Sequence, residues 1–147
     1  MIILWLGWWG FNGGSALAIQ VEGGRMILGD IILNTSIAAV GAGLAAFFHC
    51  YFLQGKDCIN EKLLGGILGG LVAVTAGVNE LSTWQALALG VTAGVVHNYS
   101  YDFIISHLKL DDAVGAVPVH GACGVLGTLT VPFAKVSKAR VMNWLPR

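Results

Sequence analysis

The chain has 147 residues, of which 56% are hydrophobic and only 11% charged, and its formal net charge is zero. So low a charged fraction, against the roughly 25% of soluble domains, places the chain in a bilayer; a zero net charge with no basic cluster leaves no case for nucleic acid. The 21 glycines lie inside the apolar runs, not in polar linkers. In that setting small residues let membrane helices approach one another closely.

Five apolar segments follow in chain order: Met1–Ile19, Met26–Leu53, Leu63–Val78, Trp84–Leu108 and Ala113–Ala134. About 20 residues cross the hydrocarbon core as a helix. The first, second, fourth and fifth reach that length, and the third extends toward Glu61 or Asn79 to approach it. The runs are too long and too little alternating for barrel strands. The chain is therefore expected to be all-α, one polytopic transmembrane bundle of about five helices in residues 1–134, with a polar tail over 135–147.

The first segment, WLGWWGFNGGSALA, places Gly7, Gly10 and Gly14 on one helix face, which predicts a packing seam. Its Trp5, Trp8 and Trp9 read as packing or interfacial aromatics. Phe11 and Ser15 stand four apart and so on one side. Ser15 either offers its hydroxyl to a polar solute or donates it to the Phe11 carbonyl; Phe11 either plugs a path or simply packs.

In the second and third segments, Asn34, Thr35 and Thr75 are polar residues within apolar runs, where interhelical hydrogen bonds are their default role. Gly66 and Gly70 form a GxxxG in the third segment, Gly90 and Gly94 another in the fourth, and Gly121, Gly124 and Gly127 recur in the fifth. Together they predict tight multi-helix packing. The run His97-Asn98-Tyr99-Ser100-Tyr101-Asp102 is unusual in an apolar segment and marks either water access or the end of the span.

In the fifth segment, Asp111 and Asp112 suit the positive end of a helix dipole, and Asp112 is the expected cap. His120, in AVPVHGACGVLG, is the sharpest functional candidate, since ionisable groups inside a membrane are costly. It either handles a proton or bonds a neighbouring helix. The three cysteines, Cys50, Cys58 and Cys123, have neither disulfide nor metal spacing and read as small hydrophobes. No hydrolase, nucleotide or metal motif is present, so neither an enzyme nor a cofactor is expected.

Lys56, Lys62 and Lys109 lie on one side of the bundle; Arg25, Lys135, Lys138, Arg140 and Arg147 lie on the other. The three-to-five balance makes the tail decide the orientation. No basic region precedes the first apolar run, so no cleavable leader is expected.

WLGWWGFNGGSALA, NTSIAA, GLVAVTAGVN, ALALGVTAGVV and DDAVGAVPVHGACGVLGTL, in this order and spacing, resemble the C-terminal half of Amt/Mep/Rh ammonium transporters, especially the bacterial Amt branch. The resemblance covers about residues 4 to 134 and implies helices six to ten of an eleven-helix fold. It implies a multi-pass protein of the cell membrane, a trimer with one pore per subunit, and ammonium and ammonia as what is carried. By motif position His120 matches the second pore histidine, Phe11 one of the gate phenylalanines, and Ser15 the hydroxyl of the outer vestibule.

The chain departs from the family pattern in several places. The stretches that would carry the other pore histidine, the other gate phenylalanine and the vestibule tryptophan have no counterpart here, nor does the eleventh helix. D-D-A replaces D-D-P, and KVSKARVMNWLPR resembles nothing in the family. The chain is accordingly expected to be a partial transporter, inactive until a complementary N-terminal half is supplied. The competing expectation is a non-conducting helical remnant that associates with full-length subunits.

Overall fold

The computed structural model describes residues 1–17, 19, 27–54 and 59–144. The joint bearing Arg25, the positions Lys56 and Cys58, and Arg147 lie outside these residues, as do the side chains of Lys138 and Arg140. Five helices form: α1 (Ile2–Ser15), α2 (Ile27–His49), α3 (Ile59–Thr75), α4 (Thr83–Phe103) and α5 (Cys123–Trp144). Three π-helical stretches adjoin them: Cys50–Gln54 extends α2, Ile104–Leu108 extends α4, and Val117–Ala122 leads into α5. α5 continues past Ala134 without a break and carries Pro132 in its interior.

α2 is the centre of the bundle. Its Ala38, Ala42 and Ala46, spaced four apart on one face, are completely buried. Gly66 and Gly70 of α3 and Gly90 and Gly94 of α4 press against this row. A β-carbon added at Gly70 would lie 2.6 Å from the carbonyl oxygen of Ala38. One added at Gly90 would collide with the same carbonyl, and one at Gly94 with that of Ala42. Both GxxxG motifs of the sequence therefore converge on the backbone of one helix, where only hydrogen in place of a methyl permits the approach. In α5, Gly127 meets the backbone of Ala73 in the same manner, while Gly121 and Gly124 have only ordinary contacts.

α1 is held differently. The seam expected at Gly7, Gly10 and Gly14 is open: nothing lies within 4 Å of a β-carbon built at any of them. It is Gly13 that packs, against Leu28. Polar contacts supply the rest of the attachment. Trp8 Nε1 donates to Thr75 Oγ1 at 2.9 Å, Trp9 Nε1 to Ser36 Oγ at 2.9 Å, and Asn12 Nδ2 to Thr35 Oγ1 at 3.0 Å. Trp8 and Trp9 thus pack and bond inward, while the buried indole nitrogen of Trp5 has no partner among the described residues.

Local chemistry sets the joints. Asn34 Nδ2 donates to the carbonyls of Val78 at 3.2 Å and Leu81 at 2.8 Å, tying the α3–α4 turn to α2. Ser82 and Gln85 cap α4 reciprocally: the Gln85 amide donates to Ser82 Oγ, and Gln85 Oε1 accepts from the Ser82 amide. Large hydrophobic side chains are exposed along every helix, among them Ile3 of α1 at 84%, Leu44 of α2 at 53%, Leu64 of α3 at 46%, Trp84 of α4 at 79% and Phe133 of α5 at 76%. Two helical spans, Ile27–Leu53 and Val117–Val136, are long and apolar enough to cross a membrane.

Two stability effects follow. Gly94→Ala should destabilise the bundle by about 1–3 kcal/mol, because the methyl has no space beside the Ala42 backbone. Gly10→Ala should be neutral or stabilising by up to about 1 kcal/mol, since the site is open and alanine favours helix. Reversible unfolding in mixed micelles measures both, and equal effects would contradict the packing described. Asn34→Ala should cost about 1–3 kcal/mol in the same measurement, because two buried carbonyls lose their donor.

Candidate functional site

Phe11 and Ser15 sit together near the end of α1. Ser15 Oγ donates to the Phe11 carbonyl at 2.6 Å. That bond uses the hydroxyl hydrogen and leaves the oxygen lone pairs able to accept from a ligand. Ser15 borders a cavity of about 220 Å³ whose other polar lining comes from Asn12, Thr75 and Asn79. Phe11 is 59% exposed, with its ring 6.2 Å from that of Trp8. Asn12 is buried, and with its amide nitrogen bonded to Thr35 its carbonyl oxygen has no partner.

Thr75 and Thr35 serve as acceptors that anchor α1, and each hydroxyl also donates to the carbonyl one turn earlier, Leu71 and Ile31 respectively. Asn34 holds the α3–α4 turn. These three residues therefore position the Ser15 end of the bundle.

His120 lies apart from this end. The helix begins with the π stretch at Val117, not at Ala113, because a turn intervenes, and it turns regular at Cys123. Asp112 accepts from the amides of Ala116 at 2.8 Å and Val117 at 2.9 Å, Gly115 adopts φ 64°, and Pro118 follows. Asp112 thus holds the first amides of the helix from the preceding turn, while the N-cap position itself is Ala116, without a side-chain cap bond. His120 consequently falls in the π-helical stretch that leads into α5. It is exposed. Among the described residues, no hydrogen bond or ring contact joins it to Phe11 or Ser15.

The His97–Asp102 run forms the last turns of α4, with His97 and Asn98 buried and Tyr99 exposed, and the π stretch Ile104–Leu108 carries the helix on beyond it. Asn98 Nδ2 donates to the Ala46 carbonyl at 2.9 Å and approaches His49 Nδ1 at 3.3 Å, and Asn98 Oδ1 lies 3.1 Å from His97 Nδ1. Lys62 is only 2% exposed and pairs with Asp102 at 2.6 Å. Lys62 was counted as a joint charge that orients the chain; in the structure it belongs to α3 and is neutralised within the bundle. Tyr101 Oη donates to Glu61 Oε2 at 3.1 Å. His49, Glu61 and Asn12 escape a reading of the sequence because each gains its meaning from a different helix. Only the polar residues of α4 signalled this cluster.

Cys50 and Cys123 are buried, in keeping with small hydrophobes.

The sequence model of the Ammonium Transporter Family matches residues 1–143. The Synechocystis sp. protein sll1017 is 42% identical over 132 residues, covering 89% of this chain and 30% of its own length. Among solved structures, the Sensor Amt Protein superposes with a TM-score of 0.82 at 35% identity, over 95% of this chain and 37% of that one. Mep2 of Saccharomyces cerevisiae gives a TM-score of 0.78 at 31% identity, over 88% and 29%. The chain spans about three-tenths of the length of the relative sll1017. It belongs to the Ammonium Transporter Family, and its five helices form part of that family's helical membrane bundle.

Proposed function

We propose that this chain forms one wall of a pathway carrying ammonium and ammonia across the cell membrane. His120 lines the pathway, Phe11 gates its outer end, and Ser15 receives the cation there. One observation carries this reading beyond family membership: His120 is exposed on a helical stretch whose exposed neighbours Val117 and Val125 are apolar. Lipid tails offer an imidazole no hydrogen bond, so such a group belongs against a facing wall or a polar passage. Val117, beside it in the same π-helical turn, is also exposed and supplies the apolar lining that disfavours ions which cannot shed their charge.

The lone pairs of Ser15 and the exposed ring of Phe11 suit a small cation at the outer end. Asn34, Thr35, Thr75 and Asp112 hold these elements in place and do not contact the cargo in this proposal. A complementary chain closes the pathway opposite His120, and the working form is a trimer. The orientation that follows from the motif match puts the Ser15 end outside.

A second reading, a non-conducting bundle that associates with full-length subunits, draws on the open face at Gly7, Gly10 and Gly14, which is free to receive another helix.

Methylammonium uptake by cells deficient in ammonium transport separates the two. Uptake is expected when this chain is expressed with a complementary N-terminal half and absent when it is expressed alone. Uptake by the chain alone would overturn the proposed need for a second wall; none from an assembled pair would favour the non-conducting reading. In the active pair, His120→Ala should lower uptake roughly tenfold, equivalent to about 1.4 kcal/mol in the barrier. Unchanged rate and ion selectivity would remove His120 from the pathway. Ser15→Ala should raise the half-saturating concentration several-fold with little change in maximal rate, since it removes binding and leaves the passage intact.

A further inference from the structure

A second polar site lies at the far end of α3 from Ser15. Glu61 lies in the first turn of α3 and Thr75 ends it, fourteen residues apart, or about 21 Å at 1.5 Å per residue. Between the start of α3, the end of α4 and the turn before α5 is a cavity of about 170 Å³, bordered by Glu61, Gly65, His97, Tyr101 and Gly115.

The hydrogen bonds around Asn98 fix what this cavity offers. The carboxamide nitrogen of Asn98 has two hydrogens. One goes to the Ala46 carbonyl and the other to His49 Nδ1. Its oxygen must then accept, so the contact with His97 Nδ1 is a donation from the imidazole. In the neutral ring that leaves His97 Nε2 unprotonated, an acceptor with a free lone pair.

Nε2 has no hydrogen-bond partner among the described residues, although His97 is only 1% exposed. The Nε2–Cε1 edge rests against Gly65, and a β-carbon there would collide with it. Gly65 and His97 both border the cavity. The hydroxyl of Tyr101 is already donated to Glu61, and the ammonium of Lys62 is paired with Asp102. The cavity is therefore bordered by an imidazole with an unpartnered nitrogen, a carboxylate, and an aromatic ring that the Lys62 ammonium already approaches at 5.9 Å. A small cation with N–H groups finds side-chain acceptors here in the His97 imidazole and the Glu61 carboxylate. Liquid water occupies about 30 Å³ per molecule, so the volume suits an ammonium-sized ion with a few waters.

We propose that this cavity is a second ammonium-class binding site, with Nε2 of His97 accepting from the bound cation and Glu61 supplying the countercharge. The identity of the cation rests on the transport reading above; the site rests on the side chains.

The test uses the full chain in lipid nanodiscs, labelled with ¹⁵N in its histidine rings, and ammonium chloride as the probe. His97 Nε2 should show the signature of an unprotonated nitrogen and should shift saturably with ammonium. Potassium chloride, similar in ionic size but without N–H groups, should shift it far less. Glu61→Gln should raise the midpoint roughly tenfold, or about 1.4 kcal/mol. Tyr101→Phe keeps the ring and frees Glu61 from its hydrogen bond, and should retain the response. The amide spectrum of each variant confirms that it is folded.

A protonated Nε2, an unmoved His97 signal in the folded wild type, or an equal response to potassium would each overturn the proposal. So would an unchanged midpoint in folded Glu61→Gln or a lost response in folded Tyr101→Phe. Uptake is read separately: a His97 response without uptake in the assembled pair sustains this site and sinks the transport reading, and uptake without a His97 response does the reverse.

Discussion

The fold depends on how closely the backbone of α2 is approached by the glycines of α3 and α4. The carbonyls of Ala38 and Ala42 receive neighbours from both helices, which leaves no room for even a methyl group at Gly90 or Gly94. In a bilayer, helices gain little from withdrawing apolar surface from lipid, so attraction between closely fitted surfaces takes over that role. The alanine row also organises the polar interior. Ala46, one turn beyond Ala42, has no glycine from α4 at its carbonyl and accepts instead from Asn98. A single stripe of small residues thus changes from a packing surface to a hydrogen-bond acceptor along its length.

This arrangement sorts the polar side chains into two kinds. Asn34, Thr35, Thr75 and Asn98 find partners within the bundle and hold helices in register. His120 is exposed and has no hydrogen-bond partner among the described residues. Ser15 lies between the kinds, since its hydrogen is bound locally while its lone pairs remain available. Polarity inside an apolar segment is therefore a poor guide to function until the direction of the side chain and the partners it has already taken are known.

That distinction explains how far the sequence could be read. Helix number, approximate spans and the seams at Gly66/Gly70 and Gly90/Gly94 were legible, because periodicity within one helix encodes which residues share a face. Whether a face has a partner is not encoded locally: Gly7, Gly10 and Gly14 have the same spacing logic and meet nothing among the described residues. The ion pair of Lys62 with Asp102 and the contact of Glu61 with Tyr101 join residues 40 positions apart, so neither helix alone reveals them. The late start of the last helix came from Asp112, whose carboxylate secures a turn that hydrophobicity alone merges with the span. The motifs around His120, Phe11 and Ser15 pointed to the family, but the pathway they are proposed to line is a property of surfaces that meet, which no single stretch of sequence displays.

The π-helical turn before α5 has a consequence for rotation. In a regular α-helix, residues seven apart lie within about 20° of one another around the axis, so His120 and Gly127 would share a direction. Gly127 lies against the backbone of Ala73, and a histidine pointing the same way would be driven into α3. A π turn holds about one residue more than an α turn, an angular offset of roughly 100°. The stretch Val117–Ala122 therefore works as a phase shifter, letting one continuous helix press a glycine inward and turn an imidazole outward. Chain length across this turn, as much as the identity of its residues, sets the direction in which His120 faces.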